Sequence, residues 1–174
     1  MHKEGDALLI QQPVYYPFRE VIEDNGRIFV NNQLHYEDGK YTIDFEDFEK
    51  KIVDNNVKVF ILCNPHNPVG RVWTKEELEK MGDICLKHNV VIMDDEIHCD
   101  FTYPGFKFTS FMTLDEKYHN SLVLYTSPSK TFNVAGLQPA NIIIKNPELR
   151  AAYRKANAAA GYSQGSIMGQ VAVK

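Results

Sequence analysis

The sequence predicts an α/β domain built on a mainly parallel sheet sandwiched by helices. Three observations carry this expectation. Short β-branched or aromatic runs of strand length recur along the chain, segments of helical spacing separate several of them, and turn or capping residues punctuate the joins. Ala7–Ile10 is the first strand-like run. Phe18, Val21 and Ile22 then share one helical face, and Gly26 is placed to cap that helix. Arg27–Val30 is the next strand, and Phe45, Phe48, Glu49 and Ile52 mark a second helix. Val57–Cys63 is a third strand. Thr74 and Glu77 form a capping box that opens the clearest helix, whose apolar positions Leu78, Met81, Ile84, Cys85 and His88 keep helical spacing. Val90–Met93, Ser121–Tyr125 and Asn141–Ile144 read as further strands. Asn146 and Pro147 supply a cap and a first-turn proline for a helix running toward Ala160. His35–Tyr41 and Phe101–Thr113 are expected as loops, and a last helical stretch covers Ser166–Val173.

The 174 residues carry 19 Lys and Arg against 23 Asp and Glu, a formal charge of −4. Such a chain lacks the basic block of a nucleic-acid binder. No apolar run reaches the roughly 20 residues of a membrane span, and three cysteines do not make a disulfide framework. No nucleic acid and no membrane are expected as partners, and the cytosol is the expected address. Both ends look cut: a strand begins within ten residues of Met1, and the last helix stops at Lys174 with its apolar face unpartnered.

Ligands of open α/β sheets sit beyond the carboxyl ends of the strands. Four such ends carry chemistry. Pro13-Val-Tyr-Tyr-Pro-Phe18 follows the first strand, and Asn64-Pro-His-Asn-Pro-Val-Gly-Arg71 follows the third. Asp94-Asp-Glu-Ile-His98 follows the fourth, and Ser127-Pro-Ser-Lys-Thr-Phe-Asn133 the fifth. An aromatic ring, an amide, a carboxylate and an amine would meet on one rim. That set suits a planar, cationic, phosphorylated aromatic cofactor. Lys130, in a restricted turn flanked by hydroxyls, could bond covalently to an aldehyde. Asp95 could keep a pyridine nitrogen protonated. Asn67 could donate to a ring oxygen, Tyr15 could stack on the ring face, and Ser127 and Ser129 could reach a phosphate.

On Pro13–Phe18, Cys63–Arg71, Asp95–Phe101 and Ser127–Gln138 the chain resembles the cofactor-binding part of a class I/II pyridoxal-phosphate aminotransferase-fold enzyme. Within that group it is most similar to the cystathionine β-lyase and cysteine-S-conjugate β-lyase branch. The motif order matches, and Asn67, Asp95 and Lys130 stand 28 and 35 residues apart, much as in the wider group. The resemblance covers the chain from about Gly5 to its end. It implies the large domain of the fold-type I transferase fold, incomplete at both ends: residues 1–174 are a cofactor-binding segment, with the small domain absent.

The resemblance also implies pyridoxal 5'-phosphate as cofactor and cleavage of cystathionine or a cysteine S-conjugate to a thiol, pyruvate and ammonia. By motif position, Lys130 carries the cofactor and later removes the substrate Cα proton. Asp95 partners the ring nitrogen, Asn67 the ring oxygen, and Tyr15 the ring face. His98 takes the place of a tyrosine found in many aminotransferases, and Ser127 and Ser129 are phosphate ligands. A homodimer acting on a small amino-acid substrate is implied. The alternatives are an aminotransferase on the same fold or an inactive remnant. Two positions depart from the pattern: Gln138 lies where many aminotransferases have a phosphate-binding arginine, and Asp94 lies where the lyase branch has a small residue.

Each residue has a plainer reading: a surface lysine, a capping aspartate, turn-forming asparagines and core tyrosines. Those readings lose only jointly, because four accidents would have to fall on successive strand ends. Two further patterns carry little weight. Gly161-Tyr-Ser-Gln-Gly165 fits a hydrolase nucleophile pattern but follows an alanine-rich helix, with no acid or histidine after it. Cys63-x-x-His66, Cys85-x-x-His88 and His98-Cys99 have a zinc-like rhythm, yet core packing accounts for Cys85 and His88. No metal is expected.

Overall fold

The computed structural model describes residues 4–162 and 165–172. Its elements are strands β1 (Ala7–Ile10), β2 (Ile28–Asn31), β3 (His35–Glu37), β4 (Lys40–Thr42), β5 (Val59–Cys63), β6 (Val91–Asp95), β7 (Leu122–Thr126) and β8 (Asn141–Ile143). The helices are α1 (Pro17–Asp24), α2 (Phe45–Asp54), α3 (Lys75–Lys87), α4 (Pro147–Ala159) and α5 (Ile167–Ala172). Six strands form one sheet in the order β2-β1-β5-β6-β7-β8, with every pairing parallel except β7 with β8. The chain passes from β1 outward to β2 and later returns to the other side of β1 as β5. The sheet's switch point therefore lies between β1 and β5, where this architecture opens a crevice.

Strand alternation sorts the core into two faces. Leu9, Phe60, Leu62, Ile92 and Leu122 pack with Phe48 and Ile52 of α2 and with Leu78, Met81 and Cys85 of α3. On the opposite face Leu8, Ile10, Val59 and Ile61 meet Ile22 of α1. There the Tyr125 ring also contacts Tyr153 of α4. The β1 and β5 segments are buried along their whole length because helices cover both faces.

The helix ends obey their local chemistry. Asp44 accepts from the Asp47 amide to start α2, and the Thr74–Glu77 capping box is complete. The Asn146 side chain accepts from the Glu148 and Leu149 amides ahead of Pro147. Asn25 closes α1 and is followed by Gly26 at φ +65°, which lets the chain turn into β2.

Two expectations need correction. Residues 35–42 form an antiparallel hairpin rather than a loop, with His35 opposite Thr42 and the Tyr36 and Tyr41 rings 4.8 Å apart. Asp38 at φ 48° and Gly39 at φ 79° both take left-handed backbone, the two-residue turn that joins antiparallel strands, and the cross-strand ring contact adds to it. In addition, β6 runs two residues past Met93, because Asp94 and Asp95 are paired on both sides, with Leu62 and Cys63 and with Leu124 and Tyr125. Val173 and the central Ser163-Gln164 of the hydrolase-like pattern lie outside the described residues.

Gly82, buried within α3, gives a clean test of packing. A Cβ there would stand 2.6 Å from Tyr118 Cε1 and 3.0 Å from Phe111 Cζ. The Tyr118 ring cannot yield easily, since its hydroxyl donates to Asp83 Oδ1 at 2.8 Å. Alanine gains about 1 kcal/mol of helix propensity but overpacks at a cost of about 1–3 kcal/mol. Gly82→Ala is expected to lower the urea midpoint of unfolding. A raised midpoint would show that the rings relax freely.

Candidate active site

The carboxyl ends of β1, β5, β6 and β7 are neighbours in the sheet, so the four motifs converge. Two backbone bonds fix the rim. The Asn64 amide donates to the Asp95 carbonyl, and the Glu96 amide donates to the Tyr125 carbonyl, each at 2.9 Å. The His66 ring nitrogen Nε2 meets the Pro13 carbonyl at 2.9 Å, which holds the segment after β1 beside the loop after β5. Burial pushes the His66 pKa down to about 4, so this bond joins a neutral imidazole to the carbonyl and Nε2 is its donor.

Asp95, His98 and Lys130 form one electrostatic group. Burial raises the Asp95 carboxyl above its ordinary range, while the Ile97 amide, His98 and Lys130 pull it back. Burial likewise lowers His98, with Asp95 opposing that shift and Lys130 adding to it. Asp95 Oδ1 accepts from the Ile97 amide at 3.1 Å. Among the described residues no hydrogen bond is made by Asp95 Oδ2, by Lys130 Nζ or by the Asn67 side-chain amide. An acid, an amine and an amide are thus left unspent on one rim. A half-buried carboxylate whose desolvation is incompletely offset suits a cationic ring N–H, and a free amine suits an aldehyde. The donor set therefore fits a pyridoxal-type group.

The other expected residues sit differently. Tyr15 is 44% exposed and makes its ring contacts with Tyr16 and Phe18, at 5.6 and 5.8 Å. Ser127 Oγ donates to the Pro139 carbonyl at 2.5 Å and accepts from the Ser129 amide at 3.0 Å. A phosphate role for Ser127 would require that hydroxyl to turn away from Pro139. Ser129 is buried in the same turn. Asn67 and His98 line a common cavity of about 970 Å³ that extends past Arg71 and Trp73 to Tyr103 and Phe106. This is ample for a small ligand.

Sequence reasoning missed two supports. Thr131 Oγ1 donates to Asp100 Oδ2 at 2.6 Å and ties the Lys130 turn to the loop after β6. Both residues lie within the recognised motifs, yet no spacing rule pairs them. The Arg71 guanidinium donates to the Tyr41 carbonyl and to Glu77, each at 2.6 Å, and lies 4.5 Å over the Trp73 ring. It anchors the β3–β4 hairpin. Of the zinc-like pairs, Cys85 is buried in the core and His88 bonds Glu49 at 2.7 Å.

Comparison with known proteins agrees with this geometry. The family model for aminotransferase class I and II matches residues 1–174. Cystathionine beta-lyase PatB of Bacillus subtilis is 48% identical over 149 residues, which cover 86% of this chain and 38% of that protein. Aspartate aminotransferase of Sulfolobus acidocaldarius is 32% identical over 142 residues, covering 81% of this chain and 35% of that protein. The crystal structure of cystalysin from Treponema denticola, which contains a pyridoxal 5'-phosphate cofactor, superposes with a TM-score of 0.93 at 44% identity. That match covers 96% of this chain and 42% of the other. The chain spans about two-fifths of the length of these relatives. A family model matched along every residue, on a sheet whose strand ends gather the expected acid, amine and amide, means that the chain belongs to the aminotransferase class I and II family.

Proposed function

We propose that this chain is the cofactor-binding, large-domain segment of a pyridoxal-phosphate-dependent carbon–sulfur β-lyase. Its substrates would be cystathionine or cysteine S-conjugates, and its products a thiol, pyruvate and ammonia. The observation that carries this reading is the joint electrostatic neighbourhood of Asp95, His98 and Lys130 at the ends of β6 and β7. Similarity to a named cystathionine beta-lyase at 48% identity supports the choice of reaction.

When bound, the cofactor ring supplies a sink for the electron pair left at the substrate Cα. Lys130 Nζ would hold the cofactor's aldehyde carbon and, once displaced by the substrate amine, take the Cα proton. Asp95 would keep the ring nitrogen protonated. Asn67 would donate to the ring oxygen, and Tyr15 would cover one ring face. A neutral His98 would stand beside Asp95, adding no positive charge to compete for it. Ser127 and Ser129 would take part in phosphate binding through the turn before Lys130. A homodimer in the cytosol is part of this proposal, and the exposed Phe101, Tyr103, Phe106 and Phe132 give the rim an apolar surface that a partner would cover.

The test is borohydride treatment of the chain with added pyridoxal phosphate, followed by peptide mapping. The reading expects the fixed label on Lys130. Label on another lysine overturns it. An aminotransferase is the second reading, favoured by the 32% identity to an aspartate aminotransferase. Pyruvate release from a cysteine thioether without added keto acid separates the two.

A further inference from the structure

The strand that presents Asp95 to the rim also buries two acids on its opposite face. Asp94 is 0% exposed and Glu96 is 3% exposed. Glu96 Oε1 accepts the Phe111 amide at 2.9 Å. Neither oxygen of Asp94 has a donor if both acids are ionised, yet the two carboxyl groups are in hydrogen-bonding contact. The groups that act on the pair are Asp95 beside it in the chain, the Cys63 thiol from β5, the Cys99 thiol, the Ser110 hydroxyl and the Phe111 amide. None is a cation. Two buried carboxylates in contact without a counter-ion are untenable, and one proton held between them removes the repulsion and gives one Asp94 oxygen a partner.

We propose that Asp94 and Glu96 share one proton and act together as positioning residues for the candidate site. Glu96, held by Asp94, clamps the Phe111 amide, and Phe111 follows the segment 97–110 that carries His98 and Asp100. Asp100 in turn holds Thr131, next to Lys130. The far end of the loop is therefore fixed by the acid pair and its start by the Lys130 turn. The functional consequence rests on the reading of His98 and Lys130 given above. The measurements that follow use no cofactor, so failure of either reading can be told from failure of the other.

Burial raises both acids, Asp94 most strongly, with contact between them raising Asp94 further and lowering Glu96. A carboxyl raised by folding contributes stability that is complete below its unfolded value, about 4, and is lost as pH rises through its folded value. The native chain should therefore gain stability on acidification from neutral pH relative to Asp94→Asn. That variant leaves an ionised Glu96 with two N–H donors and no proton to share.

Infrared spectra of the full chain at neutral pH should show a protonated-carboxyl carbonyl band that Asp94→Asn and Glu96→Gln each remove. Hydrogen exchange should quicken across residues 97–111 in Glu96→Ala by roughly tenfold, the effect of losing one buried hydrogen bond. Glu96→Gln, which still accepts the Phe111 amide, should restore near-native exchange. The proposal fails if the acid carbonyl region is the same in native, Asp94→Asn and Glu96→Gln chains. It also fails if Glu96→Ala leaves residues 97–111 unchanged, or quickens every segment alike.

Discussion

Lys130→Ala is expected to abolish covalent cofactor attachment and to reduce elimination from a cysteine thioether to background, while the far-ultraviolet circular dichroism stays native. The Lys130 side chain makes no hydrogen bond or ion pair with the described residues, and its carbonyl bond from the Asn133 amide survives substitution, so its removal costs the fold little. The whole loss then falls on chemistry: the same Nζ would hold the aldehyde and remove the Cα proton. General-base catalysis alone is worth about 10²–10⁴-fold, and losing the attachment point adds to that. Added methylamine, a small free base, should restore part of the proton transfer but none of the attachment. Visible absorption of the chain with pyridoxal phosphate measures the first effect, and pyruvate release by the full-length enzyme measures the second. A Lys130→Ala chain that still yields a borohydride-fixed label in the same peptide would end the assignment.

Trp73→Ala should produce the largest loss of stability from a single substitution. Trp73 is 0% exposed and is the largest of the fully buried side chains. Its indole N–H donates to the Cys63 carbonyl at 3.0 Å, its face meets the Arg71 guanidinium, and its ring lies 5.3 Å from His66. Truncation removes the packed ring, opens a cavity and orphans a buried carbonyl at the end of β5. We expect a loss of about 3–5 kcal/mol. Trp73→Phe keeps most of the ring and forfeits the N–H, and should cost about 1–3 kcal/mol. Trp73 is the sole tryptophan, so urea unfolding is followed by circular dichroism rather than fluorescence. Equal midpoints for the two variants would mean that the hydrogen bond, and not the ring, carries the effect.

Much of this molecule could be read without coordinates. Thr74 and Glu77 mark the start of α3 because a capping box is a purely local hydrogen-bond pattern. The runs at Ala7–Ile10 and Val59–Cys63 could be read as buried strands because continuous apolar sequence of that length suits a sheet covered on both faces. The Asn67, Asp95 and Lys130 positions could be singled out because each stands at or just past the carboxyl end of a strand-like run. Pairing beyond the local window could not: nothing in residue spacing joins Asp100 to Thr131. The loop expected at residues 35–41 overlooks a local signal instead, since Asp38-Gly39 is a two-residue hairpin turn with both residues in left-handed backbone.

The amino-acid order by itself determined the strands, the capped helices and which chemical groups would stand at the strand ends, because these depend on neighbours within a few residues. The tertiary structure decided how those groups are spent. It took the Ser127 hydroxyl for Pro139, left the Lys130 amine and the Asn67 side-chain amide unbonded, and joined Asp100 to Thr131 across the rim. It also buried Asp94 and Glu96 together, with Glu96 accepting the Phe111 amide. Burial and long-range contact set the charge state of an acid, and neither is encoded in the spacing of residues along a chain.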